Sequence, residues 1–239
     1  LRPEAIEEFI QDTHEVYAQH IGEFFGGIVP AIFTDEPQFT PKEALSFAQE
    51  EKDLFLPWTD RLPALYEQAY HEDLLDRIPA LLWELPAGRL SSARWRFQNL
   101  VADLFVAAYC RQIGNWCSCH GLGLTGHVMG EPTLASQTQA VGDAMRCYRS
   151  FSIPGIDMLC DFHEYTTAKQ TQSIVRQTGA EGMLSELYGV TGWDYDFRGY
   201  KLQGDWQAAL GVTVRVPHLA WMTMKGEAKR DYPASINYQ

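Results

Sequence analysis

The sequence predicts an α/β protein with a parallel β-sheet, and two observations indicate this class. First, five short apolar runs rich in β-branched residues are typical of buried strands, at residues 28–33, 121–125, 153–159, 182–186 and 212–219. Second, helical segments fill the gaps between the last four runs, at roughly 136–148, 164–177 and 205–210. Alternation of strand and helix at this spacing favours right-handed crossovers, so the strands are expected to be parallel.

The helical text before and after the first strand has a different distribution. Residues 3–21 have a helical period with acids on one side, and Gly26-Gly27 ends that helix. Residues 41–119 are too long for a crossover and are rich in leucines and aromatics at helical spacing. Prolines break this stretch at several points, so it predicts several helices inserted after the first strand, over the mouth of a barrel.

Five strands are too few for a closed eight-stranded barrel. The simplest explanation is a partial (β/α)₈ TIM-type barrel that holds strands four to eight, with residues 1–239 as one catalytic domain or segment and the insertion at 41–119. A five-stranded open parallel sheet is the alternative. In a partial barrel the apolar strand edges need a cover, so other segments of a larger protein or a second copy of this chain are expected partners.

Composition and charge restrict the partners further. The 239 residues are 46% apolar, enough for a large core, and the net charge is −12 with a pI near 5.0. Nucleic acid and anionic membranes are therefore not expected as partners. No apolar run reaches the roughly 18 residues of a spanning helix, and no signal peptide precedes Leu1. We expect a cytoplasmic chain, with a periplasmic or secreted one open if it belongs to a longer precursor.

The cysteines indicate a reducing compartment, because five of them lie within apolar text: Cys110, Cys117, Cys119, Cys147 and Cys160. A zinc site at Cys117, Cys119 and His120 is disfavoured, since no second ligand pair follows at the required spacing. The Gly-x-Gly-x-x-Gly pattern at 121–126 overlaps a strand instead of following one, which disfavours a nucleotide site. No cofactor is predicted; calcium is left open.

Two acidic phrases carry the functional prediction. Glu36 follows the apolar run at 28–33, and Glu186 ends the run at 182–186. Strand ends converge at one rim of a parallel sheet, and a pair of carboxyl groups there is what glycoside hydrolysis requires. Apolar neighbours and Pro37 make Glu36 the better candidate for the acid, whereas Ser185 and Tyr188 can hold Glu186 ionised as nucleophile or base. Alternatively, either residue is an ordinary strand-end or helix-first-turn acid.

Further candidates follow other strand ends and are expected to bind substrate. His127 and Glu131 can contact sugar hydroxyls, and Glu131 is the next choice for the second carboxylate if Glu186 fails. Asp157 can reach the site or cap a helix. Trp193, His218 and Trp221 offer a polar contact and aromatic surfaces for a sugar ring, with packing as the alternative for the tryptophans. A metal-dependent hydrolase would need His127, Glu131 and Asp157 to converge on one ion.

The same residues carry a resemblance to known enzymes. Thr34-Asp35-Glu36-Pro37 resembles the Asn-Glu-Pro ending of the fourth strand in clan-A glycoside hydrolases, and Ser185-Glu186 resembles the nucleophile of their seventh strand. The phrases 124–127 with Glu131, 154–157, and 217–221 before 225–227 resemble bacterial sugar-binding family 2 and family 106 hydrolases. The resemblance implies an acid/base at Glu36, a nucleophile at Glu186 and a sugar contact at Asp35, which replaces the usual Asn. Family 106 enzymes act on α-L-rhamnosides with inversion.

The sequence therefore predicts a glycoside hydrolase of carbohydrate metabolism that cleaves an oligosaccharide or glycoside with Glu36 and Glu186. The alternative is a non-catalytic carbohydrate-binding or structural barrel segment of a larger multidomain protein.

Overall fold

The computed structural model describes residues 1–47, 49–192 and 194–219. The described residues form one sheet of five parallel strands that follow one another in chain order. The strands are β1 (Ala31–Thr34), β2 (Gly123–Gly126), β3 (Ile153–Met158), β4 (Leu184–Leu187) and β5 (Val214–Pro217). The predicted α/β class and parallel sheet are confirmed.

The strand order distinguishes a half-barrel from a doubly wound sheet. Each strand pairs with the next one along the chain, from β1 to β5, and the order never reverses. Right-handed crossovers that all proceed in one direction place their helices on one face of the sheet, which is the barrel arrangement. A doubly wound sheet would reverse its order near the first strand. The sheet is thus a five-stranded parallel half-barrel.

Ten α-helices surround this sheet in the part of the chain that the structure describes: α1 (Pro3–Phe9), α2 (Glu15–Ile21), α3 (Leu62–Tyr70), α4 (Ile78–Leu82), α5 (Ser92–Phe105), α6 (Gln112–Cys119), α7 (Leu134–Ala140), α8 (Ala144–Tyr148), α9 (Tyr165–Thr178) and α10 (Phe197–Ala209). The π-helical turn Ile10–His14 joins α1 to α2, so the predicted helix at 3–21 is continuous. Glu164 caps α9 by accepting from the amides of Thr166 and Thr167.

Helices lie within residues 62–119 of the chain between β1 and β2, as the sequence predicts, whereas residues 41–47 and 49–60 of the predicted helical stretch contain no helix. A π-helical turn, Val106–Arg111, joins α5 to α6, and α6 packs against β2 as a crossover helix does. Helices α3 and α4 pack on α5. One buried cluster runs from Tyr66 and Phe97 through Ile113 to Leu124 of the sheet, so this region shares its core with the barrel.

Three predicted elements differ from the structure. The first strand begins at Ala31 and is not buried on both faces, because it is the sheet edge: Ile28 is 83% exposed and Phe33 is 38% exposed. The helix at 136–148 divides into α7 and α8 around Gly142, whose φ of +82° is unfavourable in a helix. The helix at 205–210 begins earlier, at Phe197, because the Asp196 carboxylate caps it.

The cysteines are free thiols in this structure. Cys110, Cys117 and Cys147 are buried, Cys160 is half-buried and Cys119 is exposed. No helix among residues 1–47, 49–192 and 194–219 combines the length and apolar character that crossing a membrane requires.

Candidate active site

Every strand of the half-barrel contributes a polar residue at its carboxyl end. Glu36 follows β1, His127 follows β2, and His218 follows β5. Asp157 and Glu186 are each the last residue but one of their strands, β3 and β4. Parallel strands bring these ends to one rim, where the active sites of barrel enzymes lie. Asp157 and Glu186 are direct register partners across β3 and β4. We name Glu36, His127, Asp157 and Glu186 the carboxylate cluster.

His127 is the centre of the carboxylate cluster. Its side chain is fully buried, and its Nε2 lies 2.7 Å from Oε2 of Glu186 and 3.6 Å from Oδ1 of Asp35. Because an ionised carboxylate only accepts hydrogen bonds, Nε2 is the donor to Glu186. His218 lies on the other side of Glu186, with its Nε2 3.9 Å from Oε1. Glu186 is thus held between two imidazoles, and the exposed Asp35 lies at the rim.

The charge state of His127 follows from its neighbours. Burial alone lowers the pKa of His127, but the hydrogen bond to Glu186 and the nearby Asp157 and Glu131 carboxyl groups outweigh burial and raise this pKa. The ring of Phe33 packs edge-to-face against the imidazole at 5.5 Å between centroids. The raised pKa favours the protonated imidazole, whose Nε2 donates to Glu186.

Asp157 and Glu36 form the other side of the carboxylate cluster. One side-chain atom each of Glu36, His127 and Asp157 lies within 4.8 Å of the other two. Burial raises the pKa of Asp157 to about 6, and the Glu186, Glu36 and Asp35 carboxylates add to this rise. Its Oδ1 is buried and has no hydrogen-bond partner among the described residues. Asp157 therefore holds a proton at a pH where an exposed aspartate would not.

Glu131 lies behind the carboxylate cluster. Its Oε1 accepts from the Tyr148 hydroxyl, and its Oε2 accepts from the backbone amide of Asp157 at 3.0 Å. Complete burial raises the pKa of Glu131 to about 8. The Tyr148 hydroxyl also accepts from the amide of Val128 at 3.2 Å. This chain of hydrogen bonds joins the loop after β2 to α8 and β3, so it holds the backbone of Asp157 in position at the rim.

The loop that carries Glu131 is held from its outer side as well. Gln137 and Gln170 both donate to the Glu131 carbonyl, at 2.7 and 3.1 Å, and Gln137 also donates to the side-chain oxygen of Gln170 at 2.9 Å. Gln137 is buried on α7, and Gln170 projects from α9. The two amides connect the outer helices to the residue that positions Asp157.

The backbone at the rim adopts conformations that are rare for residues with side chains. Glu36 has a φ of +48° and Tyr188 a φ of +77°, both in the left-handed region. Such conformations cluster at functional sites in proteins. Gly126 has a φ of +115°, and a Cβ there would lie 2.0 Å from the Thr34 carbonyl oxygen. Only glycine permits this approach of β2 to β1, which brings His127 next to Asp35.

Two overlapping sets of side chains have the geometry to hold a cation. These are Asp35, His127 and Glu186, and Glu36, His127 and Asp157. Each set combines two carboxylates with one imidazole. The set expected from the sequence, with Glu131, does not converge within the described residues, because both Glu131 oxygens are engaged by Tyr148 and Asp157. Cys117, Cys119 and His120 likewise form no such set there.

The structure brings together most of the residues that the sequence singled out. Trp193 and Trp221 lie outside the described residues. Tyr148 was not predicted, because it belongs to helical text with no recognisable motif. Phe33 was assigned only to a strand. Side chains alternate along a strand, so Phe33 and Asp35 lie on the same side of the chain at the end of β1. This alternation is the signal that could have placed Phe33 next to the candidate site.

No protein-family model matches the sequence, and no curated protein matches it. A solved structure that does match is a rhamnosidase from Novosphingobium sp. PP1Y, with a TM-score of 0.65 and 16% sequence identity. The match covers 91% of this chain and 20% of the rhamnosidase chain. The likeness shows a distant relationship in fold, and this chain spans about a fifth of the length of that protein.

Proposed function

We propose that this chain carries the active site of a glycoside hydrolase. One observation supports the proposal above the others: carboxyl groups from β3, β4 and the end of β1 surround the buried His127 at the carboxyl rim of the half-barrel. Hydrolysis of a glycosidic bond requires one protonated and one ionised carboxyl group beside the same bond. The carboxylate cluster offers a carboxyl group with a raised pKa, Asp157, and a carboxylate that accepts from His127, Glu186, on register partners of neighbouring strands.

Glu36 supplies the proton in this proposal. It follows an apolar strand, and the protonated form of Asp157 lies beside it. Asp157, with its pKa raised to about 6, keeps a proton next to Glu36 in mildly acidic solution. Glu36 protonates the leaving oxygen, the role that the resemblance implies for it, and a neutral Asp157 adds no negative charge beside it.

Glu186 is the ionised carboxylate in this proposal. The donated hydrogen bond from His127 stabilises its negative charge. A carboxylate in this state attacks the sugar carbon directly or accepts a proton from the attacking water. The resemblance to family 106 favours the second route, in which the anomeric configuration inverts. Asp35, more exposed at the rim, would contact a sugar hydroxyl.

The substrate class is proposed from the structural neighbour. That neighbour is a rhamnosidase, so a terminal rhamnoside is the substrate we propose for this chain. The carboxylate cluster is acidic, which suits a neutral sugar better than an anionic one.

Hydrolysis of an aryl α-L-rhamnoside by the variants Glu36→Gln and Glu186→Gln tests the proposal. Both variants should lose at least about a hundredfold in kcat, because each removes one half of the acid–base pair. Glu8→Gln, which changes an exposed glutamate on α1, is the matched control and should retain full activity. If the wild-type chain binds the glycoside without cleaving it, and Glu36→Gln changes only its affinity, the alternative of a non-catalytic carbohydrate-binding segment is correct.

A second candidate is hydrolysis assisted by a bound cation. The observation that favours it is the pair of overlapping histidine–carboxylate sets around His127. A divalent cation there would bind sugar hydroxyls and stabilise developing charge. Activity abolished by chelation and restored by added Ca²⁺ would select this candidate, whereas activity that survives complete chelation would exclude it.

We further propose that the half-barrel corresponds to strands four to eight of a TIM-type barrel. The free edge of β1 supports this assignment, and a groove of about 280 Å³ is lined by residues of α1, α2 and β1 such as Phe9, Tyr17 and Ile32. A further parallel strand would pair with β1 and place apolar side chains in that groove. Light scattering of the chain tests whether a second copy covers the edge instead, and co-expression with a complementary βα segment tests the assignment.

A further inference from the structure

A second cleft, lined by none of the four residues of the carboxylate cluster, lies between α5 and the α7–α8 pair. It has a volume of about 780 Å³, within the range of ligand pockets. Helix α5 presents Trp95, Gln98, Asn99 and Ala102 to it, at the spacing of one helix face. The opposite wall comprises residues of α7 and α8, among them Gln137, Thr138 and Met145. We name it the amide cleft, for the side-chain amides of Gln98, Asn99, Gln137, Gln139 and Gln170.

We propose that the amide cleft binds a neutral oligosaccharide. The proposal goes beyond the hydrolase activity and does not depend on it, because none of the four residues of the carboxylate cluster lines this cleft.

The charged residues of the amide cleft argue against an ionic ligand. Arg94 is paired with Glu84 at 2.6 Å, and Arg146 with Asp103 at 2.9 Å and with Asp143 at 3.1 Å. Lys42 donates to the carbonyls of Glu43 and Leu81. The two arginines are thus paired with carboxylates and Lys42 is hydrogen-bonded to the backbone, so a phosphate or carboxylate ligand would have to displace these contacts.

Two side chains of α5 supply what a sugar ring needs. The Trp95 side chain is 66% exposed, although it lines the cleft, and the apolar C–H face of a sugar can pack on its indole ring. One turn further along, the Gln98 Oε1 is buried and has no hydrogen-bond partner among the described residues. A buried acceptor without a partner is costly, and a Gln98 side chain that turns toward the cleft relieves this cost by accepting from a sugar hydroxyl. The pair therefore offers an aromatic surface beside an unsatisfied acceptor.

The amide cleft is also connected to the carboxylate cluster. Gln137 and Gln170, which line it, donate to the carbonyl of Glu131, whose carboxylate accepts from the amide of Asp157. These hydrogen bonds hold Gln137 and Gln170 in place before a ligand binds. A sugar in the amide cleft is therefore expected to leave the position of Asp157 unchanged.

Calorimetric titration with maltotriose, cellotriose and xylotriose tests the proposal. At least one of these neutral trisaccharides should bind, and Trp95→Ala should weaken its binding about tenfold or more, because the stacking surface is lost. Leu90→Ala, which shortens an apolar side chain that is almost fully exposed outside the amide cleft, is the control and should bind like the wild type. No binding of any of the three, or equal binding by Trp95→Ala, would overturn the proposal.

Gln98→Leu separates ligand binding from a structural role. It removes the unpartnered acceptor, so the melting temperature should be unchanged or higher while trisaccharide affinity falls. A lower melting temperature with unchanged affinity would assign Gln98 to the fold and contradict the proposal. Glu186→Gln should leave this binding intact. If it abolishes binding that Trp95→Ala preserves, the sugar occupies the carboxylate cluster alone, and only the hydrolase proposal survives.

Discussion

The hydroxyl of Tyr148 donates to Oε1 of Glu131 in a fully buried contact behind the carboxylate cluster. Burial and the adjacent carboxyl group raise the pKa of Tyr148 well above its ordinary value, so this hydroxyl remains a donor throughout the physiological range. The Tyr148 hydroxyl oxygen also accepts from the backbone amide of Val128. One side chain of α8 therefore satisfies groups on both sides of the loop that leads from His127 to Glu131.

We expect Tyr148→Phe to lower the free energy of unfolding by about 1–3 kcal/mol. The substitution leaves the buried Val128 amide and one Glu131 oxygen without their partner, and each unsatisfied group carries a desolvation cost. Urea denaturation at neutral pH measures the change. Tyr17→Phe, at an exposed site on α2, is the control and should change it by less than about 0.5 kcal/mol. Equal stability of the two variants would show that the Tyr148 hydroxyl is not needed by its neighbours.

Asp157→Asn should change stability in a pH-dependent way. Because the pKa of Asp157 is raised from 3.8 to about 6 in the folded state, the folded protein binds more protons than the unfolded chain between these values. Stability attributable to this group therefore falls as the pH rises through that window, by about 3 kcal/mol in all. The amide has no such titration. The unfolding free energy of the variant, relative to that of the wild type, should therefore increase as the pH rises from about 4 to about 7. A constant difference across that range would contradict the assignment.

The charge on His127 can be observed directly. The pKa of His127 is raised above its ordinary 6.5, so its contribution to stability is fully present below that value and is lost as the pH rises through the folded-state pKa. Titration of the imidazole proton resonances by NMR should give a midpoint above 6.5 for the wild type. Glu186→Gln removes the acceptor of Nε2, so it should shift that midpoint downward. A midpoint below 6.5 in the wild type would mean that burial outweighs the carboxylates.

The convergence of the carboxylate cluster could be predicted because strand ends can be located in a sequence. Glu36, His127, Asp157 and Glu186 each follow or end an apolar run, and parallel pairing alone brings such positions to one rim. The mutual contacts could not be predicted. That Nε2 of His127 faces Glu186, and that Glu131 turns inward to Tyr148, depends on rotamers fixed by packing across the whole core.

The errors in the fold have the same physical origin. Residues 28–33 have the composition of a buried strand, yet β1 begins at Ala31 because a turn with a bridge between Phe25 and Val29 occupies the preceding residues. The composition of an apolar run does not by itself distinguish an edge strand from a central one. Helix α10 extends beyond the predicted residues 205–210, because the cap at Asp196 and the burial of Gln203 and Gln207 outweigh the low helical propensity of Gly199 and Gly204.

Gly126→Ala should be the most destabilising single change at the rim. An alanine Cβ would lie 2.0 Å from the Thr34 carbonyl oxygen and would also force a side chain into a backbone conformation with φ of +115°. We expect a loss of more than about 3 kcal/mol in the free energy of unfolding. Gly22→Ala is the matched control, because nothing lies within 4 Å of its Cβ position and its φ is −58°.

The same pair of variants tests how the sheet positions the carboxylate cluster. If Gly126→Ala folds at low temperature, β1 has to move away from β2, and with it Asp35 and Glu36 relative to His127. The NMR midpoint of His127 should then change in Gly126→Ala and stay unchanged in Gly22→Ala. A stable Gly126→Ala variant with the wild-type midpoint would show that β1 and β2 do not need this close approach, and that the cluster is positioned by β3 and β4 alone.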